Sequence, residues 1–345
     1  MWDTEKGPDL GGRSHRGGVR GWDEAISGAG SPSRYHRPIH ECRPRRICCR
    51  RQGRVPAPIE RIGRLWTYRG LLLNLIKRDL RIRYKESALG FLWSMLNPAT
   101  YLAIFYVVFV ILLPAGIPHF PVFILSGLLP WTLFQNSMMA ATTSVVGGAP
   151  LLKRVAFPRE VLPLAAVGAN IFHFFLQMIV LLGFMVIFRY NFASKYLVLV
   201  IPALVVEVLI LAGFSLILSS ITVYMRDMAH FIELATLFWF WMTPIVYAPA
   251  QVYVKLVRHH VPYALTLLNP MSAIVLSFQR AFYKDPHPVS TGALHPTPGI
   301  TNVLINFPLH WYFEALGVLT VFAIVLIWIG FRVFGRGEGN FAEEL

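Results

Sequence analysis

Six stretches of the chain stay apolar for long enough to cross a hydrocarbon layer about 30 Å thick, which takes roughly 20 residues at the 1.5 Å rise of an α-helix. They fall near residues 91–113, 121–146, 161–188, 197–224, 229–250 and 311–334. Turn chemistry separates them, as in Pro114-Ala115-Gly116-Ile117-Pro118 and Gly147-Gly148-Ala149-Pro150. Ahead of the first stretch the pattern changes. Between Trp66 and Gly90, Leu71, Leu72, Leu75, Ile76, Leu80 and Ile82 interleave with Lys77, Arg78, Arg81, Arg83 and Lys85. That alternation predicts an amphipathic helix within 59–90 lying along the bilayer surface, its cations on anionic lipid at about 1 kcal/mol each. Residues 251–310 are too many for a plain turn. Their apolar patches, Leu265 to Leu268 and Met271 to Phe282, are too short to cross, and predict a re-entrant helical hairpin near 251–283 in the outer leaflet, bent at Asn269-Pro270. The expected fold is all-α: a polytopic membrane protein with six transmembrane helices, an N-terminal amphipathic interface helix and an outer re-entrant helical hairpin, closed by a short tail over 335–345.

Composition agrees with this pattern. Of 345 residues, 55% are hydrophobic and only 14% charged, against roughly 25% charged in soluble domains. Residues 1–58 stand apart, rich in Gly, Arg, Pro and Ser with no apolar periodicity, and are expected to form a disordered basic arm without the apolar run of a secretory leader. Because no methionine lies between Met1 and Met95, a working chain that starts near Val55 would need a non-AUG start. Cys42, Cys48 and Cys49 all sit in this arm without zinc-site spacing, so neither disulfide nor metal is expected.

Charge then sets the orientation. Residues 1–96 carry 20 of the 32 Lys/Arg. Such an arm would suit nucleic acid or the cytoplasmic face of a membrane, and the apolar remainder favours the membrane, with no nucleic-acid partner. With a cytoplasmic amino terminus, 26 of the 32 cations fall inside and 6 outside. Both termini are therefore expected in the cytoplasm.

Catalytic signatures are missing. No G-x-x-x-x-G-K-[ST] loop, H-E-x-x-H, G-x-S-x-G or clustered metal ligands occur, so no catalytic residue and no metal site is assigned. Glu207 lies deep in the fourth stretch, where an ionisable group needs a partner or a polar path; His173 or Gln177 is the expected partner. Glu233 and Glu314 read as interfacial. Aromatic faces can carry sugar rings, which makes Trp131, Phe134, Gln135, Trp239, Trp241 and Tyr247 candidates for a glycan path. The loop Pro150-Leu151-Leu152-Lys153-Arg154-Val155-Ala156-Phe157-Pro158-Arg159-Glu160 is short, basic and bounded by prolines. It predicts a short helix presenting Leu151, Leu152, Val155 and Phe157 to a groove on a soluble partner.

Several segments, in order, resemble one family, the membrane permeases of ABC transporters that export polysaccharides such as O-antigen, teichoic acid and capsule. They are Arg78-Asp79-Leu80-Arg81-Ile82-Arg83-Tyr84-Lys85, Leu89-Gly90-Phe91-Leu92-Trp93, Asn97-Pro98, Leu125-Ser126-Gly127-Leu128-Leu129-Pro130-Trp131, and Leu152 through Glu160. Tyr224 through His230, Pro244-Ile245-Val246-Tyr247, Leu268-Asn269-Pro270-Met271 and Phe341 through Leu345 complete them. The resemblance runs from about residue 60 to 345 and leaves out only the basic arm. It implies a homodimer with a separate cytoplasmic ATPase on each subunit, extruding a lipid-linked glycan between the two permeases across the cytoplasmic membrane. This chain would bind no cofactor of its own; ATP and Mg would sit on the partner subunit. The resemblance also implies that the segment from Pro150 to Arg159 is the coupling helix entering the ATPase, 66–90 the interface helix and 251–283 the outer gate. Two rival readings remain at the level of sequence. One is a related permease exporting small drugs or lipids. The other is a membrane-embedded glycosyl- or acyltransferase using Asp227, His230 or the His259-His260 pair.

Overall fold

The computed structural model describes residues 58–84, 92–113, 116–153, 157–187, 189–190, 195–259, 268–283, 303–305 and 307–337. Among these residues every regular element is helical. The basic arm, Lys85, Arg154, Val155 and the tail from residue 338 lie outside them. Among the described residues three helical segments are long and apolar enough to cross a membrane: Val161–Ile187, Lys195–Tyr224 and Leu309–Gly337. Shorter apolar helices cover Pro98–Leu112 and Met228–Met242.

In chain order, α1 is Pro58–Thr67 and α2 Arg69–Tyr84, followed by α3, Leu92–Tyr106, which continues into a π-helical turn at Val107–Leu112. Then come α4 (Phe120–Gly147), α5 (Ala149–Leu152), α6 (Val161–Ile187) and α7 (Val200–Tyr224), the last preceded by a 3₁₀ turn at Lys195–Leu199. Met228–Met242 is α8, Pro249–Arg258 is α9, Pro270–Phe282 is α10 and Leu309–Gly337 is α11.

The core is built around α4. Nineteen of its 28 residues are buried, and it packs against α3, α6, α7, α8 and α10. A helix apolar on all sides belongs in the middle of a bundle. Its neighbour α10 is buried at 12 of 13 positions, so this stretch sits among helices α4, α7 and α11. Asn269 caps α10 by accepting the Met271 amide at 3.0 Å, and Pro270 fills the first helical position, where its missing N–H costs nothing. Helices α7 and α11 approach backbone to backbone. A Cβ on Gly213 would lie 3.0 Å from the Ile327 nitrogen, and one on Gly330 would lie 2.9 Å from the Gly213 carbonyl oxygen.

The fifth apolar stretch is broken where sequence periodicity reads it as continuous. Helix α8 stops at Met242, Thr243 is extended, and Pro244 explains the break: a residue before proline is pushed out of the helical region. Residues 243–248 are irregular, with Thr243, Pro244, Ile245 and Val246 buried.

Helix α2 packs along α6. Leu75 clusters with Val161, Leu162 and Ala165, Ile76 lies over Gly168, and Arg83 and Tyr84 meet Asn170 and His173. The contacts advance along α2 and α6 together, so α2 is inclined along α6. A helix lying across α6 would touch it at one level only. Its other flank leaves Leu73 and Ile82 exposed.

Candidate functional site

At one end of the bundle the loop from α4 to α6 meets α1 and α2. Helix α5 is a single turn of four residues, begun by Pro150 in its first positions. Leu151, Leu152 and Phe157 are half-buried and pack on the cluster of Leu75, Val161, Leu162 and Ala165, together with Leu65, Leu71, Leu72 and Ile76. These apolar residues therefore spend part of their surface on their own subunit. Lys153 is exposed, Pro158 and Arg159 are half-buried, and Glu160 is buried. Arg154 and Val155 lie outside the described residues.

Glu160 accepts from Arg61 Nη1 at 2.5 Å, with the two side chains only 5% and 6% exposed. This ion pair ties α1 to the start of α6 across 99 residues of sequence. Breaking such a buried pair costs about 3–5 kcal/mol because one charge is left without compensation.

Farther along α2, Arg83 Nη1 lies 2.7 Å from His173 Nε2 and 3.4 Å from Asn170 Oδ1. The Tyr84 hydroxyl lies 2.8 Å from His173 Nδ1. A guanidinium only donates, so the His173 Nε2 must accept, which places the ring proton on Nδ1, facing the tyrosine. Asn170 in turn donates to the carbonyls of Asn136 and Ala166. Arg78 bonds one oxygen of Asp79 through Nε and Nη2 at 3.1 and 2.9 Å, and Arg81 is exposed.

The expected partners of Glu207 are thus engaged elsewhere: His173 with Arg83 and Tyr84, and Gln177 as acceptor of the Thr132 hydroxyl at 2.8 Å. Glu207 is fully buried, and among the described residues neither carboxylate oxygen has a hydrogen-bond partner.

The aromatic candidates divide by depth. Trp131 and Phe134 are 2% and 0% exposed, ring against ring at 5.7 Å. Trp239 packs edge-on to Phe134 at 5.0 Å, and Phe240 bridges Trp131 to Trp241 at 5.6 and 5.5 Å. The relay ends at Trp241, which is 55% exposed. Tyr247 is half-buried and donates to the Trp241 carbonyl at 3.1 Å, and Gln135 is half-buried. Sequence reasoning missed the clamp beside them. The Trp239 indole donates to Asn269 Oδ1 at 2.7 Å, and Asn269 Nδ2 donates to the Thr243 hydroxyl at 2.9 Å. The Asn-Pro pair marked a bend, but nothing in it pointed to α8.

Helix α8 carries an open apolar face. Only Ile232 and Thr236 of its 15 residues are buried, leaving Phe231, Leu234, Leu237, Phe238, Trp241 and Met242 exposed. Asp227 and His230, the candidate residues of the enzyme reading, are exposed at its start, with His230 Nδ1 3.9 Å from Glu233. His259 is exposed and His260 lies outside the described residues.

The ABC-2 type transporter family model matches residues 71–283. The chain is 29% identical over 287 residues to the O-antigen export system permease protein RfbA of Myxococcus xanthus, covering 83% of this chain and 100% of that one. It is 27% identical over 275 residues to the protein of the same name from Klebsiella pneumoniae, covering 80% and 95%. A shorter segment of 64 residues is 36% identical to the polysialic acid transport protein KpsM of Escherichia coli, covering 18% and 25%.

Proposed function

The chain belongs to the ABC-2 type transporter family, and from that premise we propose that it is the membrane permease of an ATP-driven exporter of a lipid-linked polysaccharide. Relatives named for O-antigen export and for polysialic acid transport support this cargo class. In this reading six helices span the cytoplasmic membrane: α3 with its π turn, α4, α6, α7 with its 3₁₀ turn, α8 and α11. Both termini face the cytoplasm, and α9 with α10 forms the outer re-entrant hairpin. Helix α8 alone covers roughly 22 Å at the helical rise, so the irregular segment after it completes the crossing. Irregular backbone is tolerated at that depth when it is buried in protein.

A separate cytoplasmic ATPase binds the loop around α5 and moves it. Leu151, Leu152, Lys153, Arg154, Val155, Phe157, Pro158 and Arg159 form the contact, and Glu160 anchors it to Arg61. The interface helix carries Arg78, Asp79, Arg81, Arg83, Tyr84 and Lys85. ATP and Mg belong to that partner, and this chain supplies transmission and a path. Two copies of the permease enclose the path. The single observation that carries this is the open face of α8, whose apolar residues Phe231, Leu234, Leu237, Phe238 and Met242 stay exposed among the described residues. Trp241 would meet the sugar rings directly. Tyr247 and Phe240 hold it in place, and Trp239, Trp131, Phe134 and Gln135 stand behind them.

Reconstitution tests the reading. Vesicles holding the permease with its ATPase partner are expected to translocate a lipid-linked glycan only when ATP is present. Transport without the ATPase, or of small drugs in place of glycan, would overturn it.

A further inference from the structure

A cavity of about 370 Å³ lies between α2, the last turns of α4 and the first turns of α6. We propose that it binds the phosphate-bearing headgroup of a membrane lipid. Its polar wall is Arg78, Asp79, Arg83, Thr143 and Ser144, and its apolar wall includes Leu75 and Leu162.

The charge balance favours an anion. Two guanidiniums face one carboxylate, and among the described residues Asp79 is held by Arg78. The Arg83 guanidinium rests on neutral acceptors, the Asn170 amide oxygen and the His173 ring, so among the described residues its charge meets no carboxylate. Guanidinium forks match phosphate oxygens in geometry as well as charge. The volume falls within the roughly 300–1,000 Å³ of small-ligand pockets. Space is available because the intervening residues, Ala140, Gly147, Gly148, Ala165, Ala166 and Ala169, are small.

The apolar wall decides between a lipid and a free phosphate. A soluble phosphate would engage only the polar wall, whereas the first methylenes of a lipid also cover the apolar residues that line the cavity. The cavity also borders Gly148, the residue before α5, so a bound headgroup touches the loop that the ATPase would move. The inference rests on the cytoplasmic placement of α2 proposed above, and its test reads binding, so it can fail while export stands.

Both headgroup sources carry the same chemistry, a diester phosphate on bulk anionic lipid or a diphosphate on a prenyl carrier. The permease with its ATPase, in nanodiscs of zwitterionic lipid, is titrated with farnesyl diphosphate, phosphatidylglycerol or inorganic diphosphate and read by native mass spectrometry. Saturable binding of either lipid is expected, and the tighter of the two names the source. Arg78→Gln is expected to weaken it about tenfold, the equivalent of about 1.4 kcal/mol. Ala166→Leu, which fills the cavity without changing charge, should do the same. Arg64→Gln, on the exposed face of α1, should leave it unchanged. Arg78 is exposed on α2, so its variant reads the site even if Ala166→Leu fails to assemble. Undiminished affinity in Arg78→Gln, or inorganic diphosphate binding as tightly as the lipids, would overturn the proposal.

Discussion

The side-chain amide of Gln279 donates to the carbonyl of Pro244 at 3.0 Å, filling a bond that the broken helix gave up. Gln279 is fully buried on α10, and its nitrogen sits where a Cβ on Gly127 would come within 2.8 Å. A glycine on α4 thus makes room for the amide that holds the end of α8. Gln279→Leu would leave that carbonyl unpaired in a dry interior, at a cost of about 1–3 kcal/mol. A lower melting temperature in detergent is expected, and an unchanged one would show that the carbonyl finds another donor.

The Arg61–Glu160 pair makes a second prediction. Arg61→Ala and Glu160→Ala should each lose about 3–5 kcal/mol, since each strands a buried charge. Replacing both residues together should cost less than the sum of the single changes. A double-mutant cycle on thermal unfolding checks it, and strict additivity would remove the pair from the account.

Trp131 and Trp241 should fail in different ways. Trp131→Ala opens a cavity in the core, at about 3–5 kcal/mol, and is expected to lower the amount of permease in the membrane. Trp241→Ala removes an exposed ring and should lower glycan export at normal membrane level. Quantitative immunoblotting beside an export assay separates the two outcomes.

The α7–α11 crossing depends on the absence of side chains. Gly213→Leu would force atoms into the backbone of α11, which cannot yield as a flexible side chain can, and small residues are what allow membrane helices to approach this closely. The variant is expected to be lost from the membrane. Gly183→Ala on α6, where a Cβ meets nothing within 4 Å, is the matched control and should accumulate normally.

Long apolar runs were legible because a hydrocarbon layer demands a fixed length of helix whatever the neighbours do. Helix α6, the 195–224 segment and α11 appear where apolar length alone puts them. The break after Met242 was not read, since the apolar run continues through Pro244 to Tyr247 and composition does not register a lost hydrogen bond. Depth within the subunit was equally hidden. Trp131 and Trp241 are the same residue type on neighbouring helices, and only packing makes one core and the other surface. The partner of Arg61 was out of reach for a further reason: a pairing across 99 residues has no local signature. The tilt of α2 was missed because an amphipathic pattern states that one face is covered but not by what.

That tilt has a mechanical outcome. Leu75 and Ile76 seat α2 on the first turns of α6, Arg83 and Tyr84 fasten it again at Asn170 and His173, and Arg61 locks α1 to Glu160. From Val161 to His173 helix α6 is splinted over about 18 Å at 1.5 Å per residue. A displacement of Pro158 and Arg159 would therefore meet a strut instead of a spring, moving α6 and α2 as one body.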